Sequence, residues 1–230
     1  GAQVCKDLAA ACARAGLCVV SGMARGIDAI AHGAALDAGG ASVGVLGNGL
    51  GVVYPAANRA LYARMGEEGC LITEFSPGER PHVGSFPRRN RLISGLSRMT
   101  CVVEAGTKSG ALITVDCALN QGRDVGAVPG PITTKMSAGC NRLIQTGAKP
   151  ILGIADILEE LGMETPKQSP PPNLPAHELV VFDALERGPM HVDDLAQSVR
   201  TGAAQLLGSL TSLEIRGLVT QQPGKVFCRS

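Results

Sequence analysis

The first strand and helix pattern in the chain reads Leu17-Cys-Val-Val-Ser-Gly-Met-Ala-Arg-Gly-Ile-Asp28. A short β-branched apolar run leads into a glycine-containing loop, and apolar residues then follow at helical spacing over Ile27–Ala38. Similar runs recur at Ser42–Leu46, Leu71–Thr73, Thr100–Val103 and Asp124–Val128, separated mostly by helical patterns such as Ala111–Gln121. Because strands that alternate with helices form parallel sheets, this pattern predicts an α/β fold with helices on both faces of a parallel sheet.

The segments that follow these strands are informative, because ligands of parallel sheets bind outside the carboxyl ends of the strands. Five of them are rich in glycine or proline: Ser21–Asp28, Gly47–Gly51, Glu74–Gly78, Glu104–Gly110 and Pro129–Pro131. In any single loop, an ordinary turn explains the glycine equally well. Five such loops at one edge of a sheet favour a ligand-binding site.

Cations are concentrated beside these loops. The 230 residues contain 21 Lys+Arg and 20 Asp+Glu, so the net charge of +1 does not by itself suggest nucleic acid. Between Phe86 and Lys108, however, five cations stand against Glu104 alone, a local charge of +4: Arg88, Arg89, Arg91, Arg98 and Lys108. Arg25 on the first loop can join them. A solvated basic face would explain the run, but its place among glycine-rich loops favours a phosphate-rich ligand.

Two polar residues in these loops have more than one interpretation. Asn90 either contacts the ligand or caps a helix over Arg91–Leu96. Asp28 either caps the helix that follows it or pairs with Arg25 and holds that side chain in place. A positioning role is favoured for Asp28, since a carboxylate repels phosphate.

Several classes of protein are disfavoured by what the sequence lacks. With four Phe, two Tyr and no Trp, the chain has few aromatic side chains on which bases could stack, which disfavours a binding surface built mainly from aromatic residues. Eight Cys without a CxxC pair and four scattered His favour a reduced, cytoplasmic protein without metal or cofactor. The P-loop pattern GxxxxGK, the dinucleotide pattern GxGxxG and the nucleophile elbow GxSxG are absent. No signal peptide or membrane span is recognised in the sequence.

The C-terminal part has a different composition. Five prolines between Gly162 and Ala176 predict an extended linker, which divides the chain into domains at 1–161 and 177–230. The second domain has helical patterns and a hairpin typical of a winged helix: His177–Glu186, Val192–Val199, Ala203–Arg216, Gly217–Thr220 and Val226–Arg229. Five Lys/Arg against six Asp/Glu from Pro175 onward favour a packing or protein-interaction module over duplex DNA binding.

Taken together, the strand exits resemble the DNA processing protein A family (DprA, also called Smf). Seven ordered motifs over about 130 residues support the resemblance: Ser21–Asp28, Gly47–Gly49 with Tyr54-Pro55, Thr73–Gly78, Phe86–Gly95, Glu104–Thr114, Val128–Pro131 and Gly139–Gly147. A proline-rich linker and a winged helix also match the usual arrangement of the family.

The resemblance implies an extended Rossmann-like domain that dimerises and binds single-stranded DNA without catalysis. It also implies loading of the RecA recombinase onto strands covered by single-strand-binding protein during natural transformation. The candidate DNA or phosphate ligands are Ser21, Gly22, Arg25, Gly26, Gly47, Asn48, Gly49, Arg88, Arg89, Asn90, Arg91, Gly106, Thr107, Lys108, Ser109 and Gly110. Asp28 and Glu104 are assigned to positioning.

One departure and one alternative accompany this resemblance. Family members usually begin the domain with a strand and a basic loop before the helix that here starts near Ala2, so we expect a truncated chain. The alternative is a Rossmann-like phosphoribohydrolase of the "lonely guy" group, whose PGGxGTxxE motif needs a Glu three residues after Thr. Here Thr107 is followed by Lys108, Ser109 and Gly110, so that acid is absent.

Overall fold

The computed structural model describes residues 1–164, 174–185, 188–199 and 201–229. It separates into two compact units, Gly1–Pro166 and Lys167–Ser230. The predicted linker, 162–176, falls at this division, but 165–173 lie outside the described residues, so the boundaries at 161 and 177 stay predictions. Of the helices described, none combines the length and apolar character needed to cross a membrane.

The first unit alternates helices and short strands. Its elements are α1 (Ala2–Arg14), β1 (Val19–Ser21), α2 (Ile27–Asp37), β2 (Ser42–Val45), α3 (Arg59–Glu67), β3 (Cys70–Ile72), α4 (Ser85–Leu96), β4 (Met99–Val102), α5 (Ala111–Asn120), β5 (Asp124–Ala127), α6 (Ala138–Gln145), β6 (Lys149–Pro150) and α7 (Ile154–Glu160). Single 3₁₀ turns precede α3 and α6. All five predicted strands are present, whereas α3, α6, α7 and β6 were not anticipated.

The strands form two parallel sheets of three, with the orders β1-β2-β3 and β4-β5-β6. Val20 is paired with Val43 in the first sheet, and Thr100 with Val125 in the second. Among the described residues, β1 and β4 are each paired on one side only. The predicted parallel sheet is therefore present as two separate sheets. The alternation of strands and helices along the sequence predicts which segments are strands, but not which strands pair with each other.

Helix α1 packs against both sheets. Leu8 and Cys12 in its second half belong to one apolar cluster with Leu17, which precedes β1, and Met99, which opens β4. The amino ends of β1 and β4 therefore lie beside the later turns of α1.

Close backbone packing accounts for part of the glycine content of this unit. A Cβ atom on Gly40 would lie only 2.4 Å from the Cβ of Ala13, at the contact of α1 with the turn after α2. A Cβ on Gly126 in β5 would meet Met99 at 2.5 Å and Ile151 at 2.8 Å. Neither site has room for a larger residue.

The second unit is a winged helix. It contains α8 (Ala176–Ala184), β7 (Met190–His191), α9 (Val192–Val199), α10 (Ala203–Ile215), β8 (Val219–Gln222) and β9 (Val226–Arg229). The sheet is antiparallel with the order β7-β9-β8, and Leu195, Leu206 and Leu213 are completely buried in its core. The three predicted helices and the hairpin are confirmed, and β7 is an addition.

Candidate nucleic-acid interface

The loops after β1 and β4 both end beside the start of α1, at one edge of the first unit. Gly1 packs directly against the side chain of Glu104, which follows β4. Four residues later, the Cys5 thiol donates a hydrogen bond to the carbonyl of Ile27, at the start of α2 (3.4 Å). Both strands thus run antiparallel to α1. We call the loops that follow β1, β2, β3 and β4 the carboxyl edge.

Arg25 is exposed in the loop between β1 and α2, and within the described residues its guanidinium makes no hydrogen bond or ion pair. The loop is closed by Asp28, whose Oδ2 accepts the Ala24 N–H at 3.0 Å. Gly26, with φ of +81°, then opens α2 in a conformation that side chains disfavour. Asp28 therefore neither caps α2 from outside nor pairs with Arg25, but fixes the path of the loop that presents Arg25.

Lys108 has a corresponding place after β4. The loop is anchored below by Ala105, whose N–H donates to Met136 O and whose carbonyl accepts from Gly139 N (2.9 and 2.8 Å). Ser109 Oγ accepts the Ala111 N–H in the first turn of α5 (3.3 Å). Lys108 is exposed, with no partner among the described residues. Neighbouring Thr107 and Gly110 are exposed, and Gly106 and Ser109 are half-buried.

Arg89 occupies a different environment from the other cations. It is only 5% exposed, and its Nη1 donates to the carbonyls of Gly22, after β1, and Val45, in β2. Burial lowers the pKa of Arg89, and the negative charge of Asp28 opposes that shift. The prediction that Arg89 contacts phosphate is corrected here, because its donors are directed at backbone carbonyls inside the protein. It braces the loop that presents Arg25.

Gly22 belongs to this internal brace. It is buried, and a Cβ there would lie 2.6 Å from Arg89 Nη2 and 2.9 Å from Asp28 Oδ2. Glycine at this position allows a close approach within the protein, and its role as a phosphate ligand stays a prediction. Ser21, the last residue of β1, is half-buried beside it.

The segment Gly47–Gly49 is buried as well, contrary to its assignment as a phosphate-binding loop. Asn48 Nδ2 donates to the carbonyls of Gly49 (3.0 Å) and Val52 (2.8 Å), and the Asn48 carbonyl accepts from Thr73 Oγ1 (2.8 Å). A Cβ on Gly49 would collide with the carbonyl of Ser76 at 1.8 Å. These glycines allow neighbouring loops of the carboxyl edge to pack on one another.

Helix α4 begins at Ser85, six residues before its predicted start. Pro87 lies in the first turn, where a missing backbone N–H is tolerated. Asn90 is therefore inside the helix, and its Oδ1 accepts a hydrogen bond from Arg89 Nε at 3.3 Å. The interpretation of Asn90 as the N-cap of this helix is therefore wrong. Its side-chain oxygen accepts a hydrogen bond inside the protein.

The remaining arginines of the cationic run have separate partners. Arg88 is exposed, with its Cζ 5.4 Å from the centroid of the Phe75 ring. Arg91 donates to both carboxylate oxygens of Glu74. Arg98 precedes β4, so it lies at the opposite end of the strand, where it donates to the Leu161 carbonyl at 2.7 Å. The local charge of +4 is consequently divided among several locations.

A buried histidine lies beneath the loop of Arg25. His32 is fully buried, and its Nδ1 is 2.7 Å from Ser42 Oγ, which donates onward to the Val19 carbonyl. Burial lowers the pKa of His32 to about 4, with Asp28 opposing that shift and Arg89 adding to it. The imidazole is neutral at pH 7.

Two residues that contribute to this edge received no role in the sequence analysis. Asn58 Nδ2 donates to the carbonyls of Met23 (2.9 Å) and Ala24 (3.0 Å), which ties the loop after β2 to the loop of Arg25. Tyr54, four residues earlier, is 48% exposed and packs on Phe86. The Tyr54-Pro55 pair was visible as a motif, but no periodicity in the sequence indicated where it would lie.

Comparison with known proteins identifies relatives of both units. Residues 1–162 match the family model "DNA recombination-mediator protein A", and residues 165–225 match "DprA winged helix domain". The DprA protein of Mycobacterium tuberculosis is 42% identical over 98% of this chain and 60% of its own length. The chain thus spans about three fifths of that relative.

Two solved structures are similar to the chain. The crystal structure of DNA processing protein A from Streptococcus pneumoniae has a TM-score of 0.66 at 42% identity, covering 72% of this chain and 57% of that one. A Helicobacter pylori structure, described as giving insight into the single-stranded DNA binding mode of its DNA processing protein A, has a TM-score of 0.64 at 28% identity. It covers 70% of this chain and 73% of its own.

These matches confirm the resemblance drawn from the motifs. The family model covers nearly all of the first unit, including β1 to β6 and every loop of the carboxyl edge. The chain belongs to the DNA recombination-mediator protein A family.

Proposed function

We propose that this chain binds single-stranded DNA at the carboxyl edge, chiefly through phosphate contacts from Arg25 and Lys108. Arg88, which is exposed on α4, is a further candidate. Arg89 and Asn48 support this surface from inside and do not touch the ligand.

The observation on which the proposal rests is the pair of exposed cations after β1 and β4, which have no partner among the residues that the structure describes. Arg25 is followed by the N-terminus of α2, and Lys108 by that of α5. Backbone N–H groups in the first turn of a helix attract anions, and a cationic side chain beside them adds to that attraction. An extended polyanion can meet both places, because the first turn of α1 contacts both loops.

Family membership supports the same ligand, since the Helicobacter pylori relative is described by its single-stranded DNA binding. In the winged helix, two of the five cations lie close to acidic side chains. Arg216 lies 3.6 Å from the Glu178 carboxylate, and Arg229 lies 3.3 Å from Asp183, so these cations already face acids.

A salt titration with single-stranded and duplex oligonucleotides of one sequence tests the proposal. We expect tighter binding of the single strand, with log Kd rising linearly with log salt at a slope of about 0.7 per phosphate neutralised. Arg25→Ala and Lys108→Ala should each weaken binding to a similar degree on unrelated sequences. Binding that ignores salt, or unchanged affinity in both variants, overturns the proposal.

The control for these variants is Arg14→Ala. Arg14 is exposed in the last turn of α1, about 18 Å along the helix from the carboxyl edge. The Arg14→Ala variant loses one positive charge, as the other two variants do, but from a surface with no proposed DNA contact. Its affinity for the oligonucleotide should therefore stay near that of the parent chain.

We further propose, from family membership, that the protein acts without catalysis in the cytoplasm, as a homodimer that loads RecA onto strands covered by single-strand-binding protein. RecA filament growth on such covered strands should start sooner when the chain is added. Absence of that effect, with DNA binding intact, would limit the function to strand binding. Release of free base from nucleoside monophosphates would instead favour the phosphoribohydrolase alternative.

A further inference from the structure

Tyr54 is unusual among the aromatic residues of this chain. The sequence contains only six Phe and Tyr, and all of them lie within the described residues. Phe75 and Phe227 are buried, while Phe86, Phe182 and Tyr62 are half-buried. Tyr54 alone in this set is classed as exposed, at 48%. A large aromatic side chain is thus held in solvent at the carboxyl edge of a protein that otherwise covers its rings.

The orientation of Tyr54 is supported from one side. Its ring centroid lies 5.5 Å from that of Phe86, and the two planes are inclined by 30°. Phe86 is in turn held against the end of β2, where a Cβ on Gly47 would come within 2.8 Å of the Phe86 ring. Phe86 thus packs against part of the Tyr54 ring, and about half of the Tyr54 surface remains exposed to solvent.

The loop that presents Tyr54 is fixed beside the loop of Arg25. Asn58, four residues after Tyr54, donates to the carbonyls of Met23 and Ala24. At the other end of the same loop, the Tyr62 hydroxyl accepts the N–H of Gly51 at 3.2 Å. The loop that carries the ring and the loop that carries the cation are therefore hydrogen-bonded together.

We propose that Tyr54 is a stacking platform on which one base of the bound single strand rests, while Arg25 holds a nearby phosphate. The inference depends on the proposed function, which supplies the strand. A partly exposed ring that packs on Phe86 suits any of the four bases, because each base has a π-face. The contact is therefore independent of sequence. It is absent from duplex DNA, whose bases are already stacked on their neighbours.

Intrinsic fluorescence provides a direct test, because the chain has no Trp and only two Tyr. In Tyr62→Phe, Tyr54 is the sole emitter, and its emission should be quenched by saturating oligo(dT). In Tyr54→Phe, the remaining emission from Tyr62 should not respond to the oligonucleotide. Quenching that persists in Tyr54→Phe, or is missing in Tyr62→Phe, overturns the proposal.

Affinity measurements separate stacking from charge. Tyr54→Leu should raise the Kd for oligo(dT) about 5- to 150-fold, the range expected for loss of one stacked base. Tyr54→Phe should retain affinity, because its ring still stacks. A strand of abasic deoxyribose phosphates, with equal charge and no bases, should bind the parent chain and Tyr54→Leu alike, and the salt dependence should be the same for both proteins.

Val83→Ala is the matched control. Val83 is 89% exposed in the loop after β3, so the variant removes apolar surface from the carboxyl edge without removing a ring. If Tyr54→Leu binds oligo(dT) as the parent chain does, or loses equal affinity for the abasic strand, Tyr54 is not a platform. If the parent chain binds neither strand, the proposed function fails, and the stacking inference with it.

Discussion

The carboxyl edge has two layers that use similar residue types for different purposes. In the outer layer, Arg25 and Lys108 are exposed and have no protein partner within the described residues. In the inner layer, Arg89 and Asn48 are 5% and 2% exposed, and backbone carbonyls accept hydrogen bonds from Arg89 Nη1 and Asn48 Nδ2. A cation or an amide at the end of a strand thus does not reveal whether it meets the ligand or supports the residue that does.

The difference between the layers has a simple physical origin. A flexible loop that must present a cation to solvent needs its own polar backbone groups satisfied from beneath. Arg89 does this for Gly22 and Val45 with one planar guanidinium, which can reach two carbonyls on different segments.

The largest expected difference between the outer and inner layers is in how much a substitution lowers the free energy of unfolding. Arg89→Met should lower the free energy of unfolding by about 2–5 kcal/mol, because it removes the donor that the Gly22 and Val45 carbonyls share inside the protein. Urea unfolding measures this directly.

Arg88→Met is the neighbouring comparison. It removes an exposed cation that stacks on Phe75, and should cost about 1 kcal/mol or less. If Arg89→Met and Arg88→Met lower the free energy of unfolding equally, the division into an inner and an outer layer is contradicted.

These two arginines also show how far the sequence could predict the fold and the site. Strand positions and the winged helix followed from apolar periodicity, since burial sets that pattern. Arg88 and Arg89 are adjacent and chemically identical, so only the direction in which α4 presents them separates the exposed one from the buried one. That direction depends on where α4 begins, and the predicted start at Arg91 was six residues late.

Asn48 and Gly49 illustrate the same limit. The motif located a glycine-rich turn correctly, but its glycines permit contact with the carbonyl of Ser76, which is distant in sequence. Tertiary contacts of this kind leave no local periodicity. Arg25 and Lys108 are predicted as ligands, and both are exposed at the ends of their strands, as that prediction requires.

A smaller effect on stability is expected from the pH dependence of His32. Its folded-state pKa of about 4 lies below the ordinary value of 6.5, so the unfolded chain binds a proton more readily between these values. Stability is therefore lost as pH falls, by about 2 kcal/mol between pH 7 and pH 5. His32→Gln, which does not titrate, should lack this component. Identical pH profiles of unfolding in the two proteins would contradict the assignment.

The smallest expected effect is a change in DNA affinity that involves Arg91. Arg91 is exposed like the outer cations, but its charge is paired with Glu74. Glu74→Gln should release Arg91 and strengthen binding of single-stranded DNA by about fivefold or less, since exposed ion pairs are worth about 1 kcal/mol at most. Glu67→Gln, at an exposed site in the last turn of α3, removes the same charge elsewhere. If both variants change affinity equally, Arg91 is not available to the strand.

The most direct test of the proposed function compares salt dependence and stability in one double variant. Arg25→Gln with Lys108→Gln should reduce the slope of log Kd against log salt by about 1.4, the value for two phosphate contacts on a single strand. The free energy of unfolding should stay within about 0.5 kcal/mol of the parent value. Arg14→Gln with Arg142→Gln, at the last turns of α1 and α6, is the matched control. An unchanged slope in the first pair, or an equal reduction in the control, would contradict binding through Arg25 and Lys108.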